Sequence, residues 1–103
     1  MPERVRLCNV NDVPSGGGRE FVVGDRIVAV FNVDGTLHAL DGICPHAGGP
    51  LAKGCLTGTV VTCPWHGWQF DVVTGQHQLT PRIRQPTLPL MIENDDVLIE
   101  LPS

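Results

Sequence analysis

The chain has 103 residues, 42% of them hydrophobic and 17% charged, with a formal net charge of −4 and an isoelectric point near 5.4. That length suits one ordinary domain and is too short for two, so the expectation is a single domain over residues 1–103. An acidic chain with no basic stripe argues against nucleic acid or an anionic membrane surface as a partner. So small a domain gains modest stability from burial alone, and a bound metal centre would add much of what it lacks.

In chain order, the N-terminus (Met1 to Leu7) carries Pro2 and alternating charges rather than the apolar core of a signal peptide. Arg4 to Val10 reads as a first strand, Ser15-Gly16-Gly17-Gly18 as a flexible turn and Glu20 to Val23 as a second strand. Ile27 to Val33 and Thr36 to Leu40 flank Asp34-Gly35, a dipeptide that favours the positive φ of a tight hairpin turn. Ile27 to Phe31, among the longest apolar runs, has strand length and is far short of a membrane span. Val60 and Val61 form a short strand before Cys63, and Gln69 to Val72 runs into a hairpin turn at Thr74-Gly75. Leu88 to Ile92 and Val97 to Leu101 flank Asn94-Asp95-Asp96 and read as a last hairpin. No segment longer than one turn keeps a 3.6-residue apolar period, and glycine (12) and proline (9) are frequent. The fold class expected is all-β, a small antiparallel sandwich or partly open barrel.

From Asp41 to Gly75 the only formal charges are Asp41, Lys53 and Asp71, yet seven of the 12 glycines fall there. Within that stretch stand Cys44-Pro45-His46 and Cys63-Pro64-Trp65-His66-Gly67, with sixteen residues between His46 and Cys63. Two thiolates and two imidazoles make a four-ligand set in which each loop offers one soft sulfur and one nitrogen. Four cysteines in a secreted chain would suggest disulfides, but this spacing to histidines favours a metal site in a reducing, cytoplasmic compartment. A Cys₂His₂ zinc site is the plain alternative, since C-x-x-H is an ordinary zinc half-site. C-x-H is cramped for two ligands on one tetrahedral ion and suits ligands on two irons side by side.

The paired motifs and their flanks, Gly42 to Leu51 and Val60 to Gly75 (VVTCPWHGWQFDVVTG), resemble Rieske ferredoxins and the Rieske domains of aromatic-ring-hydroxylating oxygenases. The resemblance is specific over the central third and extends outward as a pattern of strand lengths and turns. It implies a Rieske-like fold with a cluster-binding subdomain over about residues 42–75 and one [2Fe–2S] cluster per chain. Carried across residue by residue, Cys44 and Cys63 would ligate one iron, and His46 and His66 the other. Two ferric ions, two sulfides, two thiolates and neutral imidazoles sum to zero charge and reach −1 on reduction. Four thiolates would give −2 going to −3, a centre that accepts an electron less readily. The electron would then settle on the histidine-bound iron, which in this family lies nearest the surface.

Around these ligands, Gly48, Gly49 and Gly67 either bring backbone N–H groups to the cluster sulfurs or simply serve turn geometry. Pro45, Ala47, Pro64 and Trp65 surround the ligands with apolar surface, and Trp65 is either an exposed docking residue or a core tryptophan. Trp68 and Phe70 alternate along a strand and are expected to pack beneath the cluster loop. Thr80 to Pro89 carries three prolines, and Pro86 is the candidate for the proline loop that covers a Rieske cluster from a third side; a plain linker is the other reading. Asp71 is expected to cap the Thr74-Gly75 turn. Cys8 and Cys55 match no ligand position and read as buried thiols, whereas His38 and His77 read as solvated side chains.

Departures narrow the family. Rieske proteins of cytochrome bc-type complexes carry a disulfide between the loops and two hydroxyl donors to the cluster. Here Gly49 and Trp65 stand at the cysteine positions, and Trp68 and Phe70 at the Ser and Tyr positions. These losses imply a potential at the low end of the Rieske range, about −150 mV. Oxygenase α subunits continue into a mononuclear-iron domain, for which 103 residues leave no room. The expected function is one-electron transfer, by a monomer, from a flavin-dependent NAD(P)H reductase to a terminal Rieske oxygenase, without substrate chemistry of its own. The small Rieske-like subunit of an assimilatory NAD(P)H nitrite reductase is the alternative. A sensor or assembly module that uses the cluster structurally is a third reading.

Overall fold

The computed structural model describes residues 3–42, 50–65, 67–80 and 82–101, with Glu3 and Leu101 described by backbone alone. Among the described residues ten strands alternate with tight turns: β1 Glu3–Asn9, β2 Gly18–Val23, β3 Arg26–Val33, β4 Thr36–Asp41, β5 Cys55–Thr57, β6 Val60–Thr62, β7 Gln69–Asp71, β8 Thr87–Leu88, β9 Leu90–Glu93 and β10 Asp96–Leu101. Short 3₁₀ turns follow β1 (Val10–Asp12) and precede β5 (Leu51–Lys53). All pairings are antiparallel and form three sheets, β1-β10-β9, β2-β3-β4-β8 and β5-β6-β7.

The four-stranded sheet is the middle layer, and β3 shows why. Alternate β3 residues face opposite sides. Val28 and Val30 enter a core with Cys8, Val13, Val97 and Ile99 beneath the β1-β10-β9 sheet. Ala29 and Phe31 enter a second core with Leu51, Val61, Cys63 and Phe70 beneath the β5-β6-β7 sheet. A strand buried on both faces has no polar side to show, so Ile27 to Phe31 reads as a continuous apolar run.

All three predicted hairpin turns form; at Thr74-Gly75 the Asp71 N–H donates to the Gln76 carbonyl at 2.9 Å, and the other two are two-residue reversals. Asp34 and Gly35 sit at φ 50° and 92°, and Asn94 and Asp95 at φ 52° and 70°, the left-handed region that lets two residues reverse a twisted pair. Buried Asn32 secures the first turn by accepting the Gly35 N–H at 2.7 Å through Oδ1, while its Nδ2 donates to the Val13 carbonyl at 2.9 Å.

Several expectations need correction. The run Leu88 to Ile92 is not one strand. Leu88 pairs with Ala39 in the middle sheet, Leu90 pairs with Ile99 in the outer one, and Pro89 marks the switch. Proline has no N–H to give a ladder, whereas its carbonyl still accepts the Glu100 N–H at 3.1 Å. Strand β1 ends at Asn9, whose side chain caps the following 3₁₀ turn, so Val10 lies outside it. Its register shifts between Arg6 and Cys8, and the extra residue lets both Leu7 and Cys8 pack toward the core. Strand β7 ends at Asp71 rather than Val72, and β5 was not expected at all.

Candidate metal centre

Of the four predicted ligands, Cys63 is described; Cys44, His46 and His66 lie outside the described residues. Strands β6 and β7 pair Val61 with Phe70 and Thr62 with Gln69, and the Cys63 N–H then donates to the Trp68 carbonyl at 2.7 Å. That bond closes the base of a tight loop in which Gly67 takes φ 74°. The Gln69 amide spans the same base to the Thr62 hydroxyl at 3.1 Å.

The loop has an inside and an outside. Cys63 is 1% exposed, is not in a disulfide, and belongs to the apolar cluster with Leu51, Val61 and Phe70. Two residues on, Trp65 is 50% exposed. The sulfur is thus held in a dry wall while the loop tip faces solvent. Trp65 takes the exposed of its two readings.

The segment bearing the first motif is pinned at both ends. Gly42 donates its N–H to the Ile27 carbonyl at 2.8 Å, and its own carbonyl accepts the Leu51 N–H at 3.1 Å. These bonds bring the start and finish of an eight-residue excursion together beside the middle sheet.

The proline-bearing segment is laced to the same place. Gln85 is buried, its Nε2 donates to the Asp41 carbonyl at 2.6 Å, and its N–H donates to the Gly75 carbonyl at 2.7 Å. The Asp41 N–H in turn donates to the Pro86 carbonyl at 2.9 Å. Pro86 therefore stands beside the entry to the first-motif segment with its ring exposed. Gly75 permits the approach: it sits at φ 79°, and a Cβ there would fall 2.0 Å from the Gln85 carbonyl oxygen.

Asp71 caps its turn as expected, with Oδ1 accepting the Val73 and Thr74 N–H groups at 2.8 and 3.3 Å. Trp68 is half-buried and Phe70 fully buried, their ring centroids 6.4 Å apart, so both lie under the loop as expected.

Four cysteine and histidine side chains lie outside the motifs. Cys8 is buried, as expected, and burial pushes its thiol above the usual cysteine range. A thiol kept in the protonated form is a poor metal ligand. Cys55, expected to be buried, is exposed on the short edge strand β5. His77, expected to be solvated, is 6% exposed and stands perpendicular to both Trp68 and Phe70. No feature of the local sequence marks it. His38, also expected to be solvated, is half-buried on β4 opposite Phe31.

The family model for the Rieske [2Fe-2S] domain matches residues 3–96. The chain belongs to the Rieske [2Fe–2S] family. It is 39% identical over 98 residues to the ferredoxin component of the alkene monooxygenase system of Xanthobacter autotrophicus, covering 94% of this chain and 80% of that one. The Sphingomonas yanoikuyae B1 ferredoxin superposes with a TM-score of 0.89 at 35% identity, covering 97% of this chain and 100% of that one. A chain from the complex of reduced oxygenase and oxidized ferredoxin in carbazole 1,9a-dioxygenase superposes at 0.85 with 28% identity, covering 93% of this chain and 91% of that one. An NADH-dependent nitrite reductase small subunit from Mycobacterium tuberculosis shares the fold at a TM-score of 0.89 and 21% identity, covering 100% and 98%.

The cofactor of this Rieske domain is a [2Fe–2S] cluster, and the described residues fit it. Cys63 offers such a group a buried sulfur outside any disulfide, at the base of a loop whose Trp65 faces solvent. The low formal charge of residues 41–75 suits a cluster that is neutral when oxidised.

Proposed function

We propose that this chain is a one-electron carrier of an oxygenase system, a single Rieske domain over residues 1–103 with its cluster-binding part at about 42–75. Cys44 and Cys63 hold one iron, His46 and His66 the other, and the bound cluster supplies reversible one-electron chemistry. The protein's own residues keep the sulfur side dry and present the tip beside Trp65 to partners. The electron comes from a flavin-dependent NAD(P)H reductase and leaves to a terminal Rieske oxygenase; the chain acts in the cytoplasm as a monomer. Among the described residues no helix is long and apolar enough to cross a membrane.

The observation that carries this reading is the polarity of the 63–68 loop, with Cys63 buried and Trp65 exposed two residues away. Electron transfer weakens steeply with distance, so a carrier needs its centre near a surface that a partner can touch. Supporting it, a relative named as a ferredoxin component spans nearly the whole chain. The solved complex pairs a similar ferredoxin with its oxygenase.

The test is single-turnover electron transfer. The reduced protein, mixed with a Rieske oxygenase, should reoxidise in one exponential phase and be reduced again by a small flavoprotein reductase. Reduction by no flavoprotein, together with stable copurification on a sirohaem subunit, would select the nitrite reductase alternative instead.

A further inference from the structure

His77 holds the one buried side-chain polar atom among the described residues that lacks a hydrogen-bond partner, its Nε2. The other ring nitrogen is fully engaged. Nδ1 accepts the Leu79 N–H at 3.0 Å and the Thr80 N–H at 3.3 Å. A nitrogen that accepts carries no proton, so in the neutral ring the proton sits on Nε2. Backbone bonds fix the ring's position as well. The His77 N–H donates to the Ile83 carbonyl at 3.1 Å, Gln78 donates to Gln69 at 2.9 Å, and His77 bridges Phe70 across the sheet edge.

A buried donor without an acceptor is unfavourable, and an apolar side chain in its place would avoid that. Nothing in the turn at 79–80 demands a ring, because any short acceptor would satisfy its two N–H groups. The ring's other contacts supply a reason for it. It stands at 88° to the Trp68 indole with centroids 4.7 Å apart, and at 87° to Phe70 at 5.1 Å. Perpendicular rings at these separations attract one another through edge and face charge. Trp68 is also the residue whose carbonyl receives the Cys63 N–H.

The geometry points to His77 as a positioning residue for the cluster loop: its ring seats Trp68, and Trp68 holds the backbone of Cys63. One continuous path then runs from the 79–80 turn through His77 and Trp68 to the sulfur-bearing residue. The role rests on Cys63 being a ligand.

The experiment is hydrogen exchange by mass spectrometry on the iron-loaded chain, with cluster loss to a chelator followed in parallel. His77→Ala removes ring and acceptor together. It should speed exchange over 63–70 and at 79–80 and leave β1, β3 and β10 protected. It should also shorten cluster lifetime by up to about tenfold, the factor set by losing the perpendicular ring contacts. His77→Phe keeps a ring and removes the acceptor; it should restore 63–70 and the cluster lifetime while 79–80 stays fast. The role is overturned if faster exchange in His77→Ala is confined to 79–80 or spread evenly over all sheets. It is equally overturned if His77→Phe leaves 63–70 unprotected, and this second variant decides the matter should His77→Ala not fold. The cluster assignment is tested separately, by the iron content of the wild type and of Cys63→Ser.

Discussion

At the scale of single residues, the described cysteines divide by environment, with Cys8 and Cys63 buried and Cys55 exposed. Burial raises the Cys8 thiol, with Asp12 adding to the effect. In the unfolded chain the thiol ionises first, near its ordinary value of about 8.5. Cys8 therefore contributes stability that is complete below that pH and is lost as pH rises through the higher folded value. Melting temperature measured between about pH 8 and 10 should fall less steeply in Cys8→Ala than in the wild type. Exposed Cys55 should be alkylated first by iodoacetamide, with Cys8 protected in the folded chain. Phe70 permits a finer test. It is fully buried under the loop, where the resembling bc-type proteins carry a hydroxyl donor. Phe70→Tyr should raise the reduction potential in protein-film voltammetry, because a donor to the cluster favours the more negative, reduced form. If the bond is worth about 1.5 kcal/mol, the one-electron shift is on the order of +60 mV. The four ligand candidates rest on the spacing of Cys and His in the sequence, and of them the structure describes Cys63. His77 was not legible in the sequence, since its burial comes from two aromatic rings across a sheet edge and not from its neighbours in sequence.

Among the elements, turns were the most legible part. Asp34-Gly35 and Asn94-Asp95 demand positive φ, and few residue pairs accept it. Strand β3 was legible as well, because burial on both faces leaves an unbroken apolar run. Strand β5 was not: three residues, Cys55–Thr57, carry one inward side chain, Leu56, and form through pairing with β6. The β8–β9 break was hidden because Leu88 and Leu90 pack into the same core although each half pairs in a different sheet. The Gly75–Gln85–Asp41 lacing fastens the Pro86 segment to the end of β4. Gly75→Ala would meet both a left-handed backbone and the Gln85 carbonyl. We expect a loss of at least about 2 kcal/mol, which lowers the melting temperature by roughly 10 °C in a domain of this size. Calorimetry on the iron-loaded chain checks it, and an unchanged melting temperature would show that the Pro86 segment is not fastened through Gly75.

For the whole molecule, one core lies on each face of the middle sheet, and the loop that Cys63 opens stands at one end of the β5-β6-β7 sheet. Exposed Trp65 marks that end. Formal charges are few across residues 41–75, so contact there is expected to be small, apolar and transient. Trp65→Ala should slow electron delivery to a Rieske oxygenase in stopped-flow mixing while the visible spectrum stays unchanged; an unaltered rate would remove Trp65 from the contact. The potential should lie near the low end of the Rieske range, about −150 mV, and a value near +300 mV would contradict a low-potential carrier. The central claim is the ligand set itself. Its most direct test is iron and acid-labile sulfide content across one series of variants. Wild type, Cys8→Ser and Cys55→Ser should each hold two irons and two sulfides per chain, as the [2Fe–2S] family requires. Cys44→Ser, His46→Ala, Cys63→Ser and His66→Ala should each lose them, since ligand removal undoes binding and the folding coupled to it. Loss of the cluster in Cys55→Ser with retention in His46→Ala would contradict the account.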